Sequence, residues 1–282
     1  MKIWHPKTDG LAGGPKTFMK YFDEYFKDEL CLYWEQADIV FGLNNWVPID
    51  IIKDAKDHDI KYIHRANGVF RPILLDVPNW KERNEEIKPH YLEADHVIFQ
   101  SVFSRRGYFE YLGKTDNYDI IYNGVDVEKY NPKMVKSSFD WEKVVLLGKK
   151  LTQEEIKVNV VIRESNKFAN YQMLKYISTD GLLKQLDSTK VAVDPDPQAN
   201  CNNLDLELMA LGIPVICLPY GGNPEICLPE LVSSENGIVD KINYVLENQE
   251  FFSKRAREHV VKHFKIEDCL GKYRKVFEEV LK

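Results

Sequence analysis

The chain has 282 residues, 44% of them apolar and 29% charged, with a formal net charge of −6. That length suits about two domains with sizeable cores, and the acidic balance excludes a dedicated nucleic-acid binder, whose affinity comes mostly from Lys and Arg on phosphates. Five cysteines without a C-x-x-C spacing predict free thiols, and neither a leader nor an apolar run near the ~20 residues of a membrane span is read, so the expectation is a cytoplasmic protein, with attachment to a membrane surface left open.

In chain order, Lys2–His5 reads as a strand, followed by the loop Gly10-Leu-Ala-Gly-Gly-Pro15 and a helix over Lys16–Lys27. In that helix Phe18, Tyr21, Phe22, Tyr25 and Phe26 form an apolar stripe at three- and four-residue spacing. A strand, a Gly-rich loop and a helix with Pro15 at its start open a dinucleotide-type fold, in which loop amides face an anion. Ala37–Leu43 is the next strand, Val47–His58 a helix and Lys61–His64 a strand. His64 and Arg65 then stand where open α/β sheets bind ligands. Asn79–Glu93 is a polar helix. Asp95–Gln100 is a strand running into a helix start with Arg105 and Arg106, one suited to phosphate and one to solvent. Asp119–Tyr122 is a strand leading to the Asn123-Gly124 turn and to Pro132. Lys133–Asp140 is charged and poor in apolar residues, and reads as the domain boundary.

Lys143–Leu147 opens the second domain and is followed by Gly148-Lys149-Lys150. Val158–Arg163, a weak strand near Lys175–Ser178 and a helix over Gly181–Asp187 come next. Val191–Glu225 carries the chemistry. Val191–Val193 is a β-branched run ended by Pro195, and any Asn in the loop Asn200–Asn203 can cap a helix. Leu204–Leu211 is helical, closed by Gly212 and Pro214. The all-apolar strand Ile213–Cys217 is expected at the centre of a parallel sheet. Gly221-Gly222 lets backbone N–H groups approach a ligand. Glu207 is a lone carboxylate near the start of an apolar helix, able to accept from a sugar diol; Asp205 lies on another helix face. Asp194-Pro195-Asp196 spells a D-x-D metal motif but sits in the wrong half of the chain for one, so no metal is expected. Cys201 reads as a buried structural thiol, and Trp46 and Trp80 as partly buried rings. Gly237–Asn248, Phe251–His263 and Ile266–Leu281 complete the helices.

The segments G-x-A-G-G-P, His64-Arg65-Ala66-Asn67-Gly68, V-I-F-Q-S-x-F-S-R, the exit Asn123-Gly124-Val125-Asp126…Tyr130-Asn131-Pro132, Glu207 with Gly212-Ile213-Pro214-Val215, and Gly221-Gly222-Asn223-Pro224-Glu225 together resemble the retaining GT-B glycosyltransferases of family GT4. The resemblance implies an α/β fold with two Rossmann-like β/α domains facing a cleft. Residues 1–135 with the returning helix 266–282 would form one domain and 136–265 the other. It implies transfer from a nucleoside-diphosphate sugar, a UDP- or GDP-sugar, to an unidentified acceptor without a metal. His64 would contact the donor sugar as the catalytic residue. Glu207 would hold the ribose. Asn203, Leu204, Gly221, Gly222, Lys149, Lys150, Arg105 and Arg65 would complete the donor site, and Gly13 and Gly14 would shape the acceptor side. The chain departs from the family pattern at Ala199, which stands where the first of two glutamates is usual, and in lacking the usual G-R and Lys after the first strand of the second domain. A nucleotide-sugar-binding protein without transfer, or an epimerase of the same fold, are the alternatives.

Overall fold

The computed structural model describes residues 1–11, 13–73, 77–134, 143–147, 153–165, 167, 170–174, 186 and 188–282. The chain divides into two compact units: Met1–Pro72, Asn79–Asn123 and Ile266–Lys282 in the first, Ile73–Pro78 and Gly124–Lys265 in the second.

The first unit is built on a five-stranded sheet of β1 (Ile3–Trp4), β2 (Ile39–Leu43), β3 (Lys61–Ala66), β4 (His96–Phe99) and β5 (Tyr118–Ile120), in that spatial order. Every pairing is parallel. Leu30 adds a parallel bridge to Ile3. The chain therefore leaves β1 to one side and returns to β2 on the other, which makes the carboxyl ends of β1 and β2 a switch point, the place where open α/β sheets hold ligands. The helices are α1 (Gly13–Tyr25), α2 (Ile49–Asp57), α3 (Trp80–Leu92), α4 (Val102–Tyr111) and the C-terminal helix, whose number follows below. One face of the sheet buries Phe18, Met19 and Phe22 of α1 against Phe41 and Ile63, together with Leu270, Tyr273 and Phe277 of the C-terminal helix. Phe22 stacks on Phe41 with centroids 4.6 Å apart. The predicted stripe of α1 thus meets the buried side of the C-terminal helix in one core, and the last helix returns to the first unit. The opposite face packs Val40, Ile52 and Tyr62 in one cluster and Ile87, Tyr91, Phe99 and Tyr108 in another.

The second unit carries β6 (Lys143–Leu147), α5 (Gln153–Glu164), β7 (Asn170–Leu174), β8 (Thr189–Asp194), α6 (Asn203–Ala210), β9 (Val215–Cys217), α7 (Ile238–Glu247) and α8 (Gln249–His263); the C-terminal helix, Ile266–Val280, is α9. The sheet order is β7-β6-β8-β9, again all parallel, so the switch point lies between β6 and β8. Val158–Arg163 lies inside α5, and β7 was not anticipated. Gly212 ends α6 in left-handed backbone, φ +78°, as a C′ glycine should.

Two expectations are corrected. Val215–Cys217 is an edge strand of the described sheet, not a central one; it is apolar because the chain that follows covers it. Cys217 bridges Val232, and the Ser233 N–H donates to the Cys217 carbonyl at 2.9 Å. Apart from the short excursion Ile73–Pro78, the chain passes into the second unit after Asn123, ahead of the charged stretch read as the boundary. Val125, Val127 and Tyr130 are buried, and Arg257 of α8 donates to the carbonyls of Val127 and Tyr130, so this segment belongs to the second unit. Residues 135–140 of the predicted linker, Gly148-Lys149-Lys150, the strand near Lys175–Ser178 and most of Gly181–Asp187 lie outside the described residues.

Candidate functional site

In the second unit, the loop after β8 is organised by a carboxylate. Asp194 is 1% exposed. Its Oδ1 accepts from the Asp196 N–H at 2.9 Å, and its Oδ2 from Asn202 Nδ2 at 2.7 Å and Asn223 Nδ2 at 2.8 Å. A buried carboxylate needs such donors; here they tie the loop after β8, the start of α6 and the loop after β9 to one side chain. The Asp196 carboxylate accepts from the Gln198 N–H at 2.8 Å. The D-x-D spelling thus fixes a turn. Among the described residues no cluster of three or more His, Cys, Asp or Glu is arranged to hold a metal ion.

Asn202 is the residue that caps α6: its Oδ1 accepts from the Leu204 N–H at 3.2 Å. Asn203 follows as the first residue of the helix. Leu204 through Ala210 are all buried, so α6 has no exposed face to contrast with a core face. Glu207, one turn in, is buried at 5% exposure. Asp205 is fully buried. Asn202 donates to one of its oxygens at 3.3 Å, and the Cys227 thiol lies 3.9 Å from the other. The Cys227 thiol is raised well above its ordinary value, first by its hydrogen bond with Cys217 and then by burial, so it stays protonated. Cys201 is buried, as read.

Gly221 and Gly222 are required by backbone packing. Gly221 has φ +71°, and a Cβ there would sit 3.1 Å from the Pro197 carbonyl oxygen. A Cβ on Gly222 would collide with the Asn200 carbonyl, because the Gly222 N–H donates to the Ala199 carbonyl at 2.6 Å. This corrects the expectation that both glycines, with Leu204, offer amides to a diphosphate. The Leu204 and Gly222 amides are engaged; Gly221 makes no backbone hydrogen bond with another described residue. Ala199 is 9% exposed at the same junction.

The first-unit residues are placed differently from the expectation. His64 lies inside β3 and is 0% exposed, ringed by Tyr62, Tyr91 and Tyr108 at centroid distances of 6.2, 6.1 and 6.0 Å. Its Nδ1 is 3.2 Å from the Tyr62 hydroxyl. Burial lowers its pKa to about 3, and His90 adds to the shift. All of these neighbours belong to its own unit, so His64 is a neutral core side chain without access to a donor sugar. Arg65 points to the other face and is 2% exposed. Its guanidinium donates to the Tyr273 hydroxyl at 2.9 Å, to Asn123 Oδ1 at 2.8 Å and to Asn67 Oδ1, and lies 3.9 Å from the Phe18 ring centroid. It locks α9 to the sheet and is not free for phosphate. Arg105 donates to the Tyr118 hydroxyl at 2.9 Å, and Arg106 is exposed. Gly13 and Gly14 are exposed at the start of α1, with Gly13 at φ +61°. Beside them a small cavity at the carboxyl ends of β1 and β2 is lined by His5, Leu11, Met19, Phe41, Leu43 and Trp46. What sequence reading missed is the Asp194–Asn202–Asn223 network. The available signal was a buried-strand aspartate followed by paired loop asparagines.

No protein-family model matches the sequence, and no curated protein matches it. Among solved structures, HepE from Anabaena in complex with UDP is similar over 99% of this chain and 100% of its own, at TM-score 0.73 and 11% identity. A sucrose-phosphate synthase from Thermosynechococcus elongatus is similar over 94% of this chain and 77% of its own, at TM-score 0.66 and 15% identity. A glycosyltransferase from Rickettsia africae is similar over 99% and 85%, at TM-score 0.65 and 16% identity. At such identities the likeness speaks for the fold, and the fold is GT-B. No helix among the described residues is long and apolar enough to cross a membrane.

Proposed function

We propose that the chain is a glycosyltransferase that takes its sugar from a nucleoside-diphosphate sugar, as a GT4-like enzyme acting with retention and without a metal. The observation that carries this is the second-unit arrangement. A buried carboxylate, Glu207, and the capped start of α6 stand beside the Gly221 loop at the carboxyl ends of β8 and β9, next to the switch point. That is where an open parallel sheet binds nucleotides, and a helix start favours a diphosphate. HepE, similar over nearly the whole chain, was solved with UDP and with UDP-glucose, which favours UDP over GDP as the carrier.

In this reading Glu207 accepts from both ribose hydroxyls, and Gly221 and the Asn203 end of α6 face the diphosphate. Lys149 and Lys150 supply point charges for the phosphates. Gly13 and Gly14 of the first unit are the residues proposed to contact the acceptor. An acceptor hydroxyl oxygen bonds to the anomeric carbon as the carbon–oxygen bond to the diphosphate breaks, and its proton passes to the leaving phosphate. Catalysis is then positioning plus stabilisation of the departing anion. His64, Arg65 and Arg105 take no part. No metal is invoked, in keeping with an Asp194 carboxylate engaged by loop donors, and EDTA should leave turnover unchanged.

The test is calorimetry with UDP alone. Glu207→Gln keeps the size but removes the charge, and should weaken binding by about 30- to 150-fold, or about 2–3 kcal/mol. Equal affinity in folded wild type and variant would remove the central residue. A second reading, binding without transfer, is favoured by Ala199; UDP-sugar binding with no release of UDP across a broad acceptor panel, hydrolysis included, would establish it.

A further inference from the structure

After β9 the chain runs Leu218-Pro219-Tyr220-Gly221-Gly222. Leu218 is buried, whereas Tyr220 is 49% exposed. Its ring and hydroxyl make no ring contact or hydrogen bond with another described residue. A large aromatic side chain left in water on a loose loop would be unremarkable. This loop is fixed. Gly221 is left-handed with two carbonyl oxygens, of Pro197 and Ala199, 3.1 and 3.2 Å from where its Cβ would be, and the Gly222 N–H is clamped 2.6 Å from the Ala199 carbonyl. Asn223, next in the chain, is held by Asp194. The Tyr220 backbone is therefore set firmly next to Ala199, at the carboxyl end of an edge strand in the candidate donor site.

Ala199, 9% exposed beside this loop, offers a ligand only a methyl group and no side-chain hydrogen-bonding atom. An aromatic ring offers a different kind of grip. A pyranose has a face of C–H groups that packs on a ring, and a phenol can also hydrogen-bond a sugar hydroxyl. We propose that Tyr220 binds the sugar of the donor through its ring. The inference rests on the nucleotide-sugar reading above. A ring contact tolerates several hydroxyl configurations, so it also makes sugar selection loose.

The experiment is calorimetry on the full chain with two pairs of probes, UDP with UDP-glucose and GDP with GDP-mannose, for wild type, Tyr220→Ala and Tyr220→Phe, each checked for fold by circular dichroism. Expected is roughly tenfold weaker binding of the nucleotide sugar by Tyr220→Ala, with the bare nucleotide unchanged, and a loss of at most about threefold for Tyr220→Phe, which keeps the ring. Equal weakening of nucleotide and nucleotide sugar would place the ring on the nucleotide and overturn the assignment, as would no change in either. A wild type that binds neither nucleotide would instead sink the nucleotide-sugar reading itself, and this inference with it.

Discussion

Protonating His64 would put a cation in a pocket of three tyrosines, and the fold resists it. Its pKa is near 3 when folded and about 6.5 when unfolded, so between those values the unfolded chain binds more protons. The stability that depends on neutral His64 is complete above about pH 6.5, and falls by up to about 1.4 kcal/mol per unit as pH drops towards 3. His90 and His259, also lowered by burial, act in the same direction. Urea midpoints should decline between pH 6.5 and 4, and His64→Phe should flatten that slope; an unchanged slope would mean that His64 is hydrated in solution. A second residue-scale test concerns Gly222. Gly222→Ala forces a methyl group into the Asn200 carbonyl, so we expect a loss of about 1–3 kcal/mol in thermal or urea unfolding. A neutral result would show that the loop shifts freely, and would weaken the case that Tyr220 is held in place.

At the scale of elements, Arg257 links α8 to two places that sequence pattern did not connect. Its guanidinium donates to the Ala210 carbonyl at the end of α6 at 2.7 Å, and to Tyr130 and Val127 at 2.7 and 2.8 Å. Arg257→Met keeps the apolar stem and removes every donor, and should cost about 2–4 kcal/mol, read by urea unfolding. The same segment shows where sequence reading stops. The strands and helices of the first unit were legible because their apolar residues recur at strand or helix spacing. The crossing at Asn123 was not, because what assigns Gly124–Met134 to the second unit is an arginine far along the chain. Gly221-Gly222 was legible as a close approach, but whether a ligand or another strand of backbone does the approaching depends on the Ala199 carbonyl, which no pattern reveals. His64 and Arg65 were read as ligand-facing because they end a parallel strand. The strand continues to Ala66, so both side chains are carried into the two cores. In α6, total burial erased the periodicity that would have separated Asp205 from Glu207.

At the scale of the whole molecule, the chain closes its first unit last. Residues 1–72 and 79–123 supply the sheet, but one of its faces is completed only by α9, after the second unit has been made. Phe277 is fully buried there, with ring centroids 6.1, 5.5 and 5.6 Å from Phe22, Phe26 and Phe41. Phe277→Ala removes most of that contact and leaves a cavity, at a cost of about 3–5 kcal/mol. The second unit has its own buried residues, among them Phe252 at 1% exposure, whose ring meets Tyr244 and Phe251. Two cores in separate units open separately, so the damage should be local. Hydrogen exchange by mass spectrometry should show Phe277→Ala deprotecting β1–β5 and α1 while β8, α6 and β9 keep wild-type protection. Phe252→Ala should do the reverse. A C-terminal change that deprotects the N-terminal sheet and spares residues 189–217, which lie between them in sequence, is what the return of α9 requires. Uniform loss of protection in both variants would mean that the two units unfold as one.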